Sequence, residues 1–159
     1  MPHVHEGSQT AGNGQFAIVV ARYNESITNG LLSGALSTLT AAGVEDEKID
    51  VVWVPGAFEI PLIAHKIACT GDYAAVLCLG AVIRGATTHD QHINRAVSLG
   101  IVESSLSSGV PVLFGVLTCD SLEQALERSG EGEHNKGAEC ARSALEMASL
   151  LEKLAPKNE

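Results

Sequence analysis

AAVLCLGAVI, at Ala74–Ile83, is a run that is apolar on both faces of a strand, and RGATTH follows it at Arg84–His89. Continuous apolar runs that are rich in Val and Ile are typical of parallel strands that helices cover on both sides. The change to polar, glycine-containing sequence predicts that a loop and then a helix follow the strand. This stretch therefore favours an α/β fold that is built on a parallel sheet.

Three further runs of the same kind lie on either side of this strand, at Phe16–Ala21, Ile49–Val54 and Val110–Leu117. Stripes of apolar residues with helical spacing separate the runs, so that strand and helix patterns alternate along the chain. This alternation predicts a doubly wound parallel sheet of four strands. Val4 and His5 are candidates for an additional short N-terminal strand.

The length of 159 residues fits a single domain, with an N-terminal segment at 1–14 and a core at 15–154. A net charge of −9 argues against general binding to nucleic acid or to anionic membranes, because phosphate groups would be repelled. The apolar runs are too short to span a bilayer, and the N-terminus, MPHVHEG, lacks the pattern of a signal peptide. Four scattered cysteines without a C-x-x-C pair favour reduced thiols. These features predict a cytoplasmic protein, while import into an organelle stays open.

The residues directly after each apolar run are the candidates for a functional site, because ligands of open α/β sheets bind outside the carboxyl ends of the strands. Aromatic, amide, carboxylate, guanidinium, hydroxyl and imidazole groups would converge there. A purely structural sheet does not need so mixed a set at one edge, although ordinary polar loops remain the alternative. The segments are Arg22-Tyr23-Asn24, Pro55–Glu59, Arg84–His89 and Leu117–Asp120.

The third of these segments predicts a phosphate site. Thr88 and Gln91 have the spacing of a capping box, which places His89 at the first helical position, and Ser121 with Gln124 has the same spacing. Backbone N–H groups at such a helix start bind phosphate. The positive helix end disfavours an imidazolium, so we expect His89 to be neutral and able to exchange protons. The alternative is that His89 only starts the helix.

Metal and nucleotide chemistry have weak support in the sequence. His89 and His92 lie on one helical face, but no third ligand has matching spacing, and neither a Walker loop nor a G-x-G-x-x-G motif is present. Lys136 opens the last helix, where a cation opposes the helix dipole, so that an anion or a partner subunit is expected nearby. An exposed arginine such as Arg128 is usually only solvated.

Five stretches of the chain resemble the lumazine synthase family, the penultimate enzymes of riboflavin biosynthesis. V-P-G-A-F-E-I-P and G-x-V-I-R-G-x-T-x-H together are highly specific for this family. The stretches cover roughly Phe16 to Leu150, and they are FAIVVARYNESITNGLLSGAL, VVWVPGAFEIPL, GAVIRGATTHDQHI, GVPVLFGVLTCDSLEQALERSG and NKGAECARSALEMASL.

The resemblance implies a flavodoxin-like three-layer α/β/α sandwich and a transferase that uses no metal and no organic cofactor. The implied reaction condenses 5-amino-6-(D-ribitylamino)uracil with 3,4-dihydroxy-2-butanone 4-phosphate. Its products are 6,7-dimethyl-8-ribityllumazine, phosphate and water. The chemistry consists of imine formation, phosphate elimination, ring closure and dehydration.

The resemblance also implies the site residues. His89 would transfer protons, while Phe114 and Arg128 would reach the site from a neighbouring subunit. The residues implied for the pyrimidine and the ribityl chain are Tyr23, Asn24, Ala57, Phe58, Glu59, Ala81, Val82, Ile83 and Phe114. Those implied for the phosphate are Gly85, Ala86, Thr87, Arg128 and Lys136.

Three positions depart from the family pattern. Tyr23 stands where Phe is usual, and Asp90 stands where an aromatic residue is common and adds a negative charge beside His89. Glu131-Gly132-Glu133-His134 replaces the usual turn, G-[TG]-K-A-G-N, at unchanged length. In the family this turn governs whether pentamers assemble into an icosahedral capsid; the retained length favours the capsid, and the altered residues weaken that expectation. Association with riboflavin synthase stays open.

Two other functions compete with the enzyme. A relative that binds flavin or lumazine without turnover could keep Tyr23 and Phe58 but would not need His89, Arg128 and Lys136. A purely structural shell protein would not need the ligand loops at all. The presence of all three polar residues favours the enzyme.

Overall fold

The computed structural model describes residues 1–157, so Asn158 and Glu159, at the end of the predicted single domain, lie outside the described residues. Strands and helices alternate as predicted, and short 3₁₀ turns at Asp46–Lys48 and Ala57–Glu59 flank the second strand. The strands are β1 (Phe16–Ala21), β2 (Ile49–Val54), β3 (Ala75–Ile83) and β4 (Val112–Cys119), and the helices are α1 (Glu25–Ala41), α2 (Ile60–Ala68), α3 (His89–Ser108), α4 (Leu122–Ser129) and α5 (Lys136–Leu154).

The four strands form one parallel sheet in the order β2-β1-β3-β4. Alternate residues of β1 point into two separate cores. Phe16, Ile18 and Val20 pack beneath α1 and α5, and Ala17 and Val19 pack beneath α2 and α3. This arrangement confirms the predicted three-layer α/β/α sandwich with a flavodoxin-like fold.

Two details of the strand prediction are wrong. β2 is not covered on both faces, because it lies at the edge of the sheet and leaves Asp50 and Val51 exposed. β4 begins two residues later than predicted, at Val112, because the hydroxyls of Ser105 and Ser108 bind the backbone of Val110 (3.0 and 3.1 Å) and hold it in the turn after α3.

The predicted N-terminal strand does not form, since Val4 and His5 are exposed and pair with no strand among residues 1–157. The segment that follows is instead tied to other elements. Ser8 N donates to the hydroxyl of Ser149 (3.1 Å), and Ala11 N donates to the carbonyl at the end of α1 (3.0 Å). These contacts hold Ser8 against α5 and Ala11 against the end of α1.

Helices α1 and α5 approach each other through glycine. A Cβ atom added at Gly137, in the first turn of α5, would overlap the backbone of Leu31 in α1. A Cβ atom added at Gly34 of α1 would likewise overlap the side chain of Asn135. The two helix backbones are therefore in direct contact at this crossing.

Within residues 1–157, none of the helices combines the length and the apolar composition that crossing a membrane requires.

Candidate active site

The carboxyl ends of β1, β2 and β3 and the first turn of α3 enclose a cleft of about 810 Å³. It lies at the edge of the sheet where the sequence predicts a site. The cleft brings together all but four of the predicted site residues, the exceptions being Ala86, Phe114, Arg128 and Lys136. The lining residues are Tyr23, Asn24, Pro55, Gly56, Ala57, Phe58, Glu59, Ala81, Val82, Ile83, Gly85, Thr87, His89, Asp90, His92 and Ile93.

Two aromatic rings in the cleft are open to solvent. Tyr23 is 73% exposed and Phe58 is 63% exposed, although large aromatic side chains usually bury most of their surface. Tyr23 follows β1 and Phe58 lies in the 3₁₀ turn after β2, so neighbouring strands deliver both rings to one edge. The cleft therefore offers aromatic surface on which a planar ring can stack.

Asn24 connects two walls of the cleft. It is the one non-glycine residue within 1–157 that has a positive φ (62°), and its side-chain Nδ2 donates to the carbonyl of Ala81 (3.0 Å). Its backbone also starts α1, while its side chain makes no capping bond there. Asn tolerates the left-handed conformation better than other residues with a Cβ. The hydrogen bond fixes the β1–α1 turn, which carries Tyr23, to the end of β3.

We expect Asn24→Ala to lower the free energy of unfolding by roughly 1–2 kcal/mol, because it removes this hydrogen bond and leaves an unfavourable backbone conformation. Asn24→Gly should fall between the wild type and Asn24→Ala, since glycine restores only the backbone part. Urea unfolding at a fixed protein concentration measures the free energy of unfolding of both variants. A glycine variant less stable than the alanine variant would contradict a contribution from backbone strain.

The start of α3 differs from the prediction. His89 is the first helical residue, as predicted, but the side chain of Thr88 makes no capping bond. Thr88 has φ −83° and ψ 12°, whereas a capping residue needs extended backbone, as Ser121 has (φ −145°, ψ 158°) when it accepts from Gln124 N. The hydroxyl of Thr87 instead accepts from His89 N (3.3 Å). Thr87, rather than Thr88, thus fixes the helix start beside the cleft.

The charge of the cleft is one-sided. Glu59 and Asp90 line it, and no lysine or arginine of the described chain does. The nearest arginines in sequence are engaged elsewhere: Arg22 lies 5.4 Å from the centre of the Trp53 ring, and Arg84 lies 3.9 Å from a carboxylate oxygen of Asp120. A bound anion would therefore meet no lysine or arginine among the residues that line the cleft of a single chain.

The four predicted residues outside the cleft are distributed as follows. Arg128 is exposed in the last turn of α4, near the thiol of Cys119; burial raises the pKa of this thiol above its ordinary value, and the guanidinium opposes that shift. Lys136 begins α5 with its Nζ 3.2 Å from Oε1 of Glu139. Phe114 is 42% exposed on β4, so core packing does not account for it. Ala86 lies exposed in the loop before α3.

Three residues that line the cleft, Asp90, His92 and Ile93, lie outside the segments that the sequence predicts for the site, whereas Pro55 and Gly56 lie within the segment Pro55–Glu59 but were given no role. His92 and Ile93 follow His89 by one helical turn. The spacing of three and four residues was the signal that could have found them once His89 was assigned to a helix start.

A model of the 6,7-dimethyl-8-ribityllumazine synthase family matches residues 13–152. The chain belongs to this family. The match includes every strand and the whole cleft, together with Phe114, Arg128 and Lys136. Membership of the lumazine synthase family assigns the chain to riboflavin biosynthesis and to the transferases, with small-molecule substrates and an oligomeric assembly in general.

Proposed function

We propose that this lumazine synthase family member condenses 5-amino-6-(D-ribitylamino)uracil with 3,4-dihydroxy-2-butanone 4-phosphate. The products are 6,7-dimethyl-8-ribityllumazine, phosphate and water, and neither a metal nor an organic cofactor takes part. The observation that carries the proposal is the cleft itself, which combines two exposed aromatic rings, a converging set of polar groups and His89 at the start of a helix. Four free cysteines, at 69, 78, 119 and 140, support a cytoplasmic location.

The pyrimidine binds between the carboxyl ends of β1, β2 and β3. Tyr23 and Phe58 supply aromatic surface for its ring, and the backbone of Ala81–Ile83 supplies hydrogen-bonding groups for its edge. Asn24 holds that backbone in place through its bond to Ala81 O. Ala57 and Glu59, in the turn after β2, contact the ribityl chain.

The chemical steps need positioning and proton transfer. The amine of the pyrimidine attacks the ketone carbon, and water leaves as the imine forms. Loss of a proton from the hydroxyl-bearing carbon then expels phosphate and leaves an enol, which tautomerises to a ketone. The ribityl-bearing nitrogen attacks this ketone carbon and closes the ring, and the second water leaves in the last dehydration. His89 lines the cleft at the helix start and is the group that accepts and returns these protons.

The phosphate binds at Gly85, Ala86 and Thr87, where the loop enters α3. Since no lysine or arginine lines the cleft of the described chain, Arg128 and Lys136 of a neighbouring subunit neutralise the phosphate. The site is therefore complete only in a homo-oligomer, which we propose to be a pentamer. The turn Glu131–His134 decides whether pentamers form an icosahedral capsid.

Mixing the two purified substrates with the protein tests the proposal, with lumazine absorbance and fluorescence as the readout. One arm contains EDTA, and turnover in this arm should equal that in the untreated arm. Reversible loss of turnover on chelation would overturn the cofactor-free chemistry. Binding of the pyrimidine without any lumazine would favour the non-catalytic binding protein.

His89→Ala should fold and bind the pyrimidine but turn over roughly 10²-fold more slowly, near the low end for a general acid–base group, because held reactants also react spontaneously. His92→Ala is the matched control, since His92 lines the same cleft one turn further along α3. Steady-state rates at saturating substrate measure both variants. Equal rates for His89→Ala and the wild type would leave His89 only as the start of the helix.

A further inference from the structure

Asn135 is a buried polar residue whose side chain joins three elements. It is 4% exposed, and its Nδ2 donates to the carbonyls of Gly30 (3.0 Å), Ser129 (3.1 Å) and Gly130 (2.9 Å). Its Oδ1 accepts from Ala138 N (3.0 Å) in the first turn of α5. A single amide thus fastens the end of α4 to α1 and to the start of α5.

The two cations proposed for the phosphate flank this amide in sequence. Arg128 directly precedes Ser129, whose carbonyl Asn135 binds, and Lys136 directly follows Asn135. The intervening residues Glu131, Gly132 and Glu133 are exposed. The hydrogen bonds of Asn135 are therefore what ties the backbone beside Arg128 to the backbone beside Lys136.

The surroundings leave the amide little freedom. Gly34 of α1 packs directly against it, and a Cβ atom at that position would overlap the amide group. Both N–H groups of Nδ2 are shared among three carbonyls, so a rotated side chain would leave buried acceptors without a donor. Packing and hydrogen bonding thus fix the same position.

We propose that Asn135 is a positioning residue that sets the separation of Arg128 and Lys136 and thereby the affinity of the assembled protein for a phosphate group. This inference rests on the proposed function, which assigns the two cations to the phosphate. Asn135 itself touches no ligand. It acts through the backbone on both sides of the turn, because a phosphate contact depends on placing each cation correctly.

The competing role for Asn135 is that of a helix cap alone, and two substitutions separate the roles. Asn135→Asp keeps an acceptor for Ala138 N and adds a favourable charge at the start of α5, but it turns an oxygen toward three carbonyls. Asn135→Ser keeps a good capping group, but its single, shorter hydroxyl donor replaces an amide that donates to three carbonyls. If Asn135 only caps α5, both variants should keep their phosphate affinity. If it holds the end of α4 against α1 and the start of α5, both variants should lose affinity.

The test measures the affinity of the assembled protein for inorganic phosphate by calorimetry. Asn135→Asp should weaken phosphate binding about tenfold, through misplacement of the two cations, and the uncharged Asn135→Ser should do the same, which excludes repulsion by the new carboxylate as the cause. In turnover, the KM for the butanone phosphate should rise while the KM for the pyrimidine stays constant. Leu39→Ala is the control for lost stability, because Leu39 is a fully buried side chain of α1 away from this turn.

Unchanged phosphate affinity in either Asn135 variant, or equal weakening in Leu39→Ala, overturns the proposal. If Asn135→Asp does not assemble, the phosphate affinity of Asn135→Ser decides between the two roles. This variant leaves room for water to solvate the three carbonyls that Asn135 binds. A wild type that binds no phosphate also overturns it. The wild type could form no lumazine and still bind phosphate with an affinity that the Asn135 variants lose. That result would contradict the proposed function and support the positioning role.

Discussion

Subunits with Phe58→Asp and subunits with Arg128→Ala should each be nearly inactive alone, and mixed assemblies of the two should regain activity. Phe58 lines the cleft at the carboxyl ends of β1 to β3, whereas Arg128 is exposed on α4, which packs against α1 and β4, and it does not line that cleft. If each site lies between two subunits, some boundaries combine an intact Phe58 with an intact Arg128. Random equal mixing in a closed ring gives such a pairing at about a quarter of the boundaries.

The experiment dissociates and reassociates the two variants, verifies mixed rings by mass and then measures lumazine formation. The matched control mixes Phe58→Asp with Tyr23→Asp. Both substitutions lie in the cleft of the same chain, so no boundary becomes intact and no activity should return. Mixed rings without activity in the first mixture would show that each subunit carries its own complete site.

Gly137→Ala should destabilise the protein by about 3 kcal/mol or more, at the upper end of the cost of overpacking, because its new methyl group meets helix backbone rather than a movable side chain. Local helix propensity predicts the opposite sign, since alanine is favoured over glycine by about 1 kcal/mol inside a helix. The sign of the change therefore tells which effect dominates. Urea unfolding at a fixed protomer concentration measures it.

Gly12→Ala is the matched control for this substitution. Gly12 is exposed, and a Cβ atom there would make only ordinary contacts, 3.5 Å or more from the side chain of Glu152. Its free energy of unfolding should change by less than about 0.5 kcal/mol. A stabilised Gly137→Ala would mean that α1 and α5 can separate without loss, which would remove the direct backbone contact as a source of stability.

The sheet could be predicted from the sequence because its inner strands are buried on both faces. Phe16–Ala21 is fully buried and reads as one continuous apolar run, so its bounds follow from composition. The start of β4 could not be predicted in the same way. Val110 is as apolar as its neighbours, and what removes it from the strand is a pair of serine hydroxyls on α3.

The helix starts illustrate the limit of local patterns. Ser121 and Thr88 each precede a glutamine by three residues, yet only Ser121 makes the capping bond. The difference lies in backbone angles that the tertiary fold imposes, and the local sequence does not encode them. The same holds for Val4 and His5, whose composition permits a strand while contacts of the next residues with α5 lead the segment elsewhere.

The cleft was predicted in position because parallel strands end at a common edge. This rule groups the residues that follow the strands, from Tyr23 after β1 to His89 after β3. Phe114 and Arg128 could not be grouped in this way, because they lie outside the cleft of their own chain. Only the family resemblance singled them out, since a contact between two chains leaves no periodic pattern in one sequence.

The place of β1 in the sheet has a consequence for the growing polypeptide. β1 is made first but lies between β2 and β3, and its register with β3 begins at Phe16 opposite Ala75. One hydrogen-bonding edge of an apolar strand therefore stays open on the ribosome until β3 emerges. Open edges of this kind template aggregation. Nascent chains that stall before residue 75 are the species we expect chaperones to capture.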